Sequence, residues 1–195
     1  MTETIAAIIW VASIVLSLVI RFPHQRRARK QATMMDDEDA ADWFFLVGAQ
    51  LGLIVIPFVY VATGFPALAD HEFRPWMGWI GLVVEAGFAW LFFRSHRELG
   101  KNWSITLEIR DQHRLVTDGL YRYVRHPMYA AFWLWAIAQA FLIPNWFAGL
   151  AGLAGIAGLY FSRVGKEERV MERTFGEEYR SYCARTGRIV PKLFG

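Results

Sequence analysis

Residues 127–162 read PMYAAFWLWAIAQAFLIPNWFAGLAGLAGIAGLYFS, and none of these side chains is charged. A helix needs about 20 apolar residues to cross a hydrocarbon core of about 30 Å, so this run is long enough for two crossings. Pro144 and Asn145 divide it near its middle, and both residue types favour turns. We therefore expect two antiparallel membrane helices, residues 127–144 and 145–162, that form a hairpin.

Three more stretches, residues 5–20, 43–64 and 76–93, are equally apolar and carry one charged side chain between them. The whole chain of 195 residues is 55% hydrophobic and 16% aromatic, which is apolar for a soluble domain of this length. The pattern predicts an all-α integral membrane protein with about five transmembrane helices, the last two forming the hairpin.

Basic residues fall almost entirely on one side of these predicted spans. Residues 21–42 contain five, residues 94–126 seven and residues 163–195 eight, whereas the loop 64–75 contains only Arg74. Basic loops stay in the cytoplasm, so we expect the N-terminus outside and the C-terminus inside. The net charge of +3 is explained by this topology, and no nucleic-acid partner is expected.

Two features of the spans have structural and functional interpretations. Glu85 lies in the middle of the third span, where a carboxylate facing lipid would be costly, so it lines a substrate cavity or joins helices by hydrogen bonding. In the fifth span glycine recurs every three residues from Gly149 to Gly158, which favours close helix packing over a nucleotide loop. The single cysteine, Cys183, excludes a disulfide framework, and no metal site is expected.

Polar residues concentrate in residues 99–129, before the hairpin, and in residues 161–191, after it. Because a hairpin brings its two ends together, we expect His126 and Tyr129 to lie near Arg163 and Glu167. Carboxylates can accept hydrogen bonds from an amino group or a ribose diol, and imidazole and phenol groups can bind a carboxylate. Residue types alone leave an alternative open, in which Arg125 and His126 are interface anchors and Glu167 and Glu168 form a solvated helix face.

The string HRLVTDGLYRYVRHPMY at residues 113–129, followed by Arg163, KEER at 166–169 and FGEEYRSY at 175–182, closely resembles the isoprenylcysteine carboxyl methyltransferase family in its short prokaryotic form. The resemblance covers residues 99–191, and all motifs occur in the family's order. It divides the chain into residues 1–98, with three spans and a cytoplasmic connector, and residues 99–195, a cofactor-binding methyltransferase region with two spans.

The resemblance implies that S-adenosylmethionine binds in a cytoplasmic pocket between helices. Glu108 stands where the family has a glutamine, so it matches by polarity alone. The remaining positions that the resemblance assigns to the cofactor are His113, Arg114, Leu115, Val116, Tyr121, His126, Pro127, Met128, Tyr129 and Glu167. Arg163 falls on the arginine at the substrate's reacting end and is the expected catalytic residue, with Glu85 as a second candidate for substrate binding.

The expected reaction is methylation of the carboxylate of a prenylcysteine-like lipophilic substrate that enters from the bilayer. A carboxylate is ionised at neutral pH and needs an orienting cation but no base. The alternatives are a phospholipid N-methyltransferase or a small-thiol S-methyltransferase, for which a base such as Glu167 or Glu85 would be needed. A sterol-type reductase and a non-enzymatic membrane scaffold are more remote. The methyl acceptor and the oligomeric state cannot be read from the sequence.

Overall fold

A computed structural model describes residues 1–28, 33–36, 40–100, 108–110 and 115–192 of the chain. Side chains are described within residues 1–26, 41–100 and 115–192. His113 and Arg114 lie outside the described residues, and Glu108 is described by its backbone alone.

Six α-helices make up most of the described chain. They are α1 (Glu3–Ala28), α2 (Ala40–Gln50), α3 (Ile56–Thr63), α4 (Pro75–Leu99), α5 (Pro127–Leu142) and α6 (Trp146–Arg185). A π-helical turn, Leu51–Val55, joins α2 to α3, so that these two helices form one continuous span. Four helical segments are long and apolar enough to cross a membrane, and α5 is a shorter apolar helix of 16 residues. The predicted all-α membrane architecture with five apolar helical segments is confirmed.

The π-helical turn has a physical cause in Pro57, which has no backbone N–H. In this turn the Ile56 N–H bonds to the Leu51 carbonyl, and the next donor in the same pattern would be that of residue 57. The Gly52 carbonyl instead accepts a hydrogen bond of 3.0 Å from the buried side chain of Gln139 in α5. An amide of α5 thus supplies the hydrogen bond that the proline removes.

Glycine residues of α6 allow it to approach α2 closely. A Cβ atom on Gly155 would lie 2.9 Å from the Ala49 Cα, and one on Gly152 would lie 3.0 Å from the Leu53 Cδ2. Both distances are shorter than ordinary van der Waals contact, and at Gly155 the close atoms are backbone, so a larger residue there requires a shift of the helices. The packing role predicted for the glycine stripe is confirmed.

Residues 143–145 join α5 and α6 in an antiparallel hairpin, as predicted. The Asn145 Oδ1 accepts from the Ala148 N–H at 2.8 Å and so caps α6. Its Nδ2 donates to the Asp70 Oδ1 at 2.7 Å and fixes the loop between α3 and α4 to the hairpin turn. The other end of the hairpin therefore lies at the opposite membrane surface.

Aromatic residues fill the core between α4 and α5. The Phe88 and Trp135 rings stack with centroids 4.9 Å apart, and Phe92 packs against Phe132 at 5.5 Å. One difference from the helical expectation is a two-stranded antiparallel ribbon, β1 (Thr33–Asp36) and β2 (Glu108–Arg110). Segments of three or four residues are too short for a periodic pattern to distinguish them from a solvated connector. The ribbon links the connector after α1 to the segment before α5.

Candidate functional site

The site forms where the start of α5 faces the polar half of α6. From Trp146 to the interruption at Gly176, α6 is about 45 Å long, which exceeds a hydrocarbon core of about 30 Å. Its charge-free run ends at Ser162, and we expect the charged part from Arg163 to Arg185 to lie outside the hydrocarbon core. Gly176 interrupts this part with a positive φ of 52°, a conformation that favours glycine.

Glu167 is the centre of the site. Its Oε1 accepts a hydrogen bond of 2.7 Å from the Tyr129 hydroxyl, and its Oε2 lies 3.5 Å from the His126 Nδ1. The Arg163 Nε lies 3.8 Å from the Glu167 Oε1, one helical turn away on α6. Arg163 is 3% exposed, which is rare for an arginine. The structure thus brings together the four side chains that the hairpin argument expected to meet.

Glu168 is the centre of a second set of contacts beside the first. The Arg125 Nε and Nη2 donate to its Oε1 at 3.0 and 2.9 Å. The Arg188 Nε and Nη2 donate to its Oε2 at 3.0 and 2.7 Å. Two guanidinium groups therefore hold one carboxylate, each with two N–H donors, and the His126 Nε2 lies 3.5 Å from the Glu168 Oε1. His126 lies between the two glutamates.

These contacts shift the pKa values of His126, Glu167 and Glu168. Burial would lower the pKa of His126, but its hydrogen bonds and the negative charges of Glu167 and Glu168 raise it above its ordinary value. Burial would raise the pKa of Glu167, but its contact with His126 and the Tyr129 hydroxyl lower it. Burial likewise opposes ionisation of Glu168, and the contacts with His126, Arg188 and Arg125 hold its pKa well below its usual range. Opposite charges are therefore favoured on the histidine and the two glutamates.

A tight turn before α5 positions the preceding residues. Gly119 begins it with a φ of 60°, and a Cβ there would lie 2.5 Å from the Glu98 carboxylate. The Glu98 Oε2 accepts from the Leu120 N–H at 2.7 Å and so ties this turn to the end of α4. Tyr121 is buried in the turn, and its carbonyl accepts from the Tyr182 hydroxyl at 2.7 Å. Burial, with the nearby Tyr182, raises the pKa of the Tyr121 phenol well above its ordinary value.

The remaining predicted residues have varied positions. Leu115 and Val116 are half-buried and lead into the turn. Pro127 is buried at the first position of α5, where its missing N–H costs no hydrogen bond, and Met128 packs against the aromatic core.

Glu85 does not lie with the Glu167 group. Glu85 is 6% exposed, and the Ser13 side chain of α1 is a polar neighbour of its carboxyl group. Trp135, which stacks on Phe88 one turn from Glu85, is six residues beyond Tyr129 along α5, or about 9 Å of helix. The carboxyl oxygens of Glu85 make no hydrogen bond of standard geometry with the described residues. Glu85 therefore lies at membrane depth, between α1, α4 and α5.

Sequence reasoning missed Glu98 and Arg188. It left open whether Arg125 is an interface anchor and Glu168 part of a solvated helix face. Glu98 stands four residues after Arg94, with which it pairs at 2.6 Å. This spacing is typical of an ion pair on a helix surface, so it does not indicate a contact with the turn before α5. Arg188 lies twenty residues from Glu168, and no local spacing predicts that contact.

The arrangement can bind a small zwitterionic molecule. S-Adenosylmethionine carries a carboxylate, an ammonium group and a ribose diol, so a site for it must offer cations and anions together. His126 supplies a cation and Glu167 an anion. The His126 Nε2 is buried and lies 3.5 Å from the Glu168 Oε1, which favours the charged imidazole that a carboxylate group of the cofactor would meet. The residues present fit this cofactor.

A family model matches residues 79–173, and its description is the isoprenylcysteine carboxyl methyltransferase (ICMT) family. A rice relative (Oryza sativa subsp. indica), a probable protein-S-isoprenylcysteine O-methyltransferase, is 26% identical over 129 residues, 65% of this chain and 66% of its own length. The Arabidopsis thaliana protein-S-isoprenylcysteine O-methyltransferase B is 26% identical over 145 residues, 72% of each chain. The Schizosaccharomyces pombe enzyme is 34% identical over 81 residues, 42% of this chain and 34% of its own.

The fold also resembles a solved structure, that of the eukaryotic intramembrane Ras methyltransferase ICMT. The TM-score is 0.55 with 25% sequence identity, over 80% of this chain and 54% of that chain. The chain thus spans about half the length of the solved relative. The resemblance that the motifs carried in the sequence is confirmed by all three comparisons.

Proposed function

We propose that this chain, a relative of the isoprenylcysteine carboxyl methyltransferase family, is a membrane-embedded, S-adenosylmethionine-dependent methyltransferase that acts on the carboxylate of a prenylcysteine-like lipophilic substrate. The names of its relatives and the match over residues 79–173 support this reaction class. Its membrane-crossing helices suit a substrate with a long apolar tail that arrives from the bilayer.

The observation that carries the proposal is the position of Arg163. It is buried at the point where α6 leaves the membrane, and its guanidinium lies 3.8 Å from the Glu167 carboxylate. A lipophilic substrate with its tail in the bilayer would present its carboxylate at this level. A guanidinium can hold a carboxylate in a fixed orientation without being consumed, so Arg163 would align the nucleophile.

His126, Tyr129 and Glu167 would hold the cofactor beside that carboxylate, together with Tyr121. The cofactor would supply an activated methyl group on a sulfonium. The buried residues around the site would keep water away from it. The hydrogen bond from the Tyr129 hydroxyl to Glu167 orients this carboxylate before the cofactor binds. The proposed cofactor site also includes the other residues that the family resemblance assigns to it, namely Glu108, His113, Arg114, Leu115, Val116, Pro127 and Met128.

The charge state of Glu167 favours a carboxylate acceptor over an amine. An amine must lose a proton before it attacks, so its methylation needs a base. Glu167 is the carboxylate nearest to Arg163 in the described site, and its lowered pKa makes it a poor proton acceptor. A carboxylate nucleophile needs no such base, and this site offers it a cation.

The methyl acceptor can be tested with the detergent-purified full chain. We expect S-adenosylhomocysteine to bind in isothermal titration and NADPH not to bind, and radioactive methyl groups to appear on a farnesylcysteine analogue but not on phosphatidylethanolamine. Binding of NADPH alone would favour a reductase. Labelling of phosphatidylethanolamine alone would favour a phospholipid N-methyltransferase, and binding of neither ligand would favour a scaffold.

A further inference from the structure

The chain that follows α6 returns to the site as an extended segment, Thr186, Gly187 and Arg188, which we name the strap. Its backbone pairs with the residues just before α5. The Arg125 N–H donates to the Gly187 carbonyl and the His126 N–H donates to the Arg188 carbonyl, both at 2.8 Å. The Gly187 N–H donates to the Tyr123 carbonyl at 3.1 Å. Three hydrogen bonds therefore fix the backbone that carries His126.

The strap is itself held in place. The Arg125 Nη1 donates to the Thr186 carbonyl, and the buried Thr186 hydroxyl donates to the Tyr182 carbonyl at 2.6 Å. A Cβ atom on Gly187 would lie 1.7 Å from the Val190 carbonyl oxygen, so this position has no room for a larger residue. These contacts constrain the conformation of the strap.

Arg188 links the strap to His126 by two routes. Its carbonyl holds the His126 backbone, and its guanidinium holds both oxygens of Glu168. The Glu168 Oε1 in turn lies 3.5 Å from the His126 Nε2. One residue thus constrains both the backbone of His126 and the carboxylate that faces its ring.

We propose that the strap positions His126 for the cofactor and that Arg188 is its positioning residue. This inference rests on the proposed function, because it assumes that His126 contacts the cofactor. It goes beyond that function by assigning a role to residues outside the matched region 79–173. Arg188 does not touch the reacting atoms, so its effect should appear in cofactor affinity.

The test compares Arg188→Gln with Arg188→Lys and with a matched control, Arg180→Gln. Arg180 also pairs with two acidic groups, Glu172 and Glu177, and its side chain is 59% exposed against 54% for Arg188. Its partners all lie on the exposed face of α6, away from the site. Both glutamine variants therefore remove an arginine of similar exposure from its acidic partners, and the partner of Arg188 is the more buried one.

We expect Arg188→Gln to weaken S-adenosylhomocysteine binding in isothermal titration by about threefold to tenfold. Arg188→Lys should recover part of the affinity, and Arg180→Gln should bind within about twofold of wild type. Turnover at saturating cofactor should change little, whereas the KM for the cofactor should rise. Thermal melting of the two glutamine variants should agree, which separates positioning from a loss of stability.

Equal affinities of wild type and Arg188→Gln would overturn the strap's role and leave the proposed function intact. A lower melting temperature of Arg188→Gln that accounts for its weaker binding would also overturn it, since the role would then be structural. If the wild-type protein binds no S-adenosylhomocysteine, the proposed function fails first, and the strap's role in cofactor binding fails with it.

Discussion

The hydroxyl of Tyr129 donates a hydrogen bond of 2.7 Å to the Glu167 Oε1, across 38 residues of sequence. Tyr129 stands on the first turn of α5 and Glu167 on the polar half of α6, so this bond joins the two arms of the hairpin at the membrane surface. It also orients the carboxylate that faces His126 and Arg163.

The first prediction concerns the cofactor. Each of His126→Ala and Glu167→Ala should weaken S-adenosylhomocysteine binding by about 1 to 3 kcal/mol, because each leaves a polar group of the cofactor unpaired in a partly buried site. Isothermal titration measures the loss. Glu177→Ala removes an exposed carboxylate of α6 and should leave affinity unchanged. A folded His126→Ala variant with wild-type affinity would remove that residue from the pocket.

The second prediction concerns pH. Because the pKa of folded His126 is raised, its stabilisation is present below its unfolded value of about 6.5 and is lost as pH rises through the higher folded value. Because the pKa values of Glu167 and Glu168 are lowered, their stabilisation is present above their unfolded values of about 4.3. It is lost as pH falls through the lower folded values.

The melting temperature in detergent should therefore fall as pH drops below the unfolded value of the glutamates, and again as pH rises through the raised pKa of His126. The alkaline fall should be smaller in His126→Gln. Differential scanning fluorimetry of wild type and variant from about pH 2 to about pH 9 measures the difference. Parallel curves for the two proteins would show that His126 makes no net ionic contribution.

The five apolar segments and the hairpin could be predicted from sequence because charge-free runs and a Pro-Asn junction are local signals. The meeting of His126, Tyr129, Arg163 and Glu167 followed from the hairpin geometry alone. The contacts of Glu168 were not predicted, because Arg125 also fits an interface anchor and Arg188 lies beyond the end of α6, outside the hairpin. A run of charges such as KEER also fits a solvated helix face, and tertiary contacts alone distinguish the two.

The π-helical turn shows the same limit within a span. Pro57 predicts a local disturbance of the helix, since it removes one backbone donor. The sequence does not indicate that Gln139, 87 residues from Gly52, supplies the replacement. Partners of this kind depend on how helices pack, and hydropathy alone does not specify that packing.

The third prediction concerns Glu85. A carboxylate at membrane depth is costly unless it is paired, so Glu85→Gln should keep or raise the melting temperature while preserving side-chain shape. Its position near Ser13, about 9 Å of helix from the Tyr129 level, gives it no direct contact with Arg163. If Glu85 binds substrate, Glu85→Gln should instead raise the KM for a farnesylcysteine analogue without changing cofactor affinity, and steady-state kinetics decides between the two.

The fourth prediction concerns membrane orientation, for which twenty of twenty-one basic residues favour a cytoplasmic site. Glu72 is exposed in the loop between α3 and α4 and should lie outside, and Cys183 should lie inside. An impermeant maleimide added to intact cells should label Glu72→Cys in a Cys183→Ser background and should not label the native Cys183. Labelling of Cys183 in intact cells would reverse the topology.

The final prediction concerns Arg163. Arg163→Lys keeps the positive charge but loses the planar fork that can grip both oxygens of a carboxylate. If Arg163 orients the substrate, methyl transfer to a farnesylcysteine analogue should fall by about tenfold or more, while S-adenosylhomocysteine affinity stays within about twofold of wild type. Arg180→Lys, on the exposed face of the same helix, is the matched control and should retain full activity.

If the acceptor is an amine, the same substitution should weaken cofactor or phospholipid binding, and the farnesylcysteine analogue should be a poor substrate of the wild type as well. The most direct measurement is therefore the rate of methyl transfer by Arg163→Lys, with cofactor affinity measured on the same preparation. The account predicts a strong loss of rate with unchanged affinity, and full activity of Arg163→Lys on the carboxylate acceptor would contradict it.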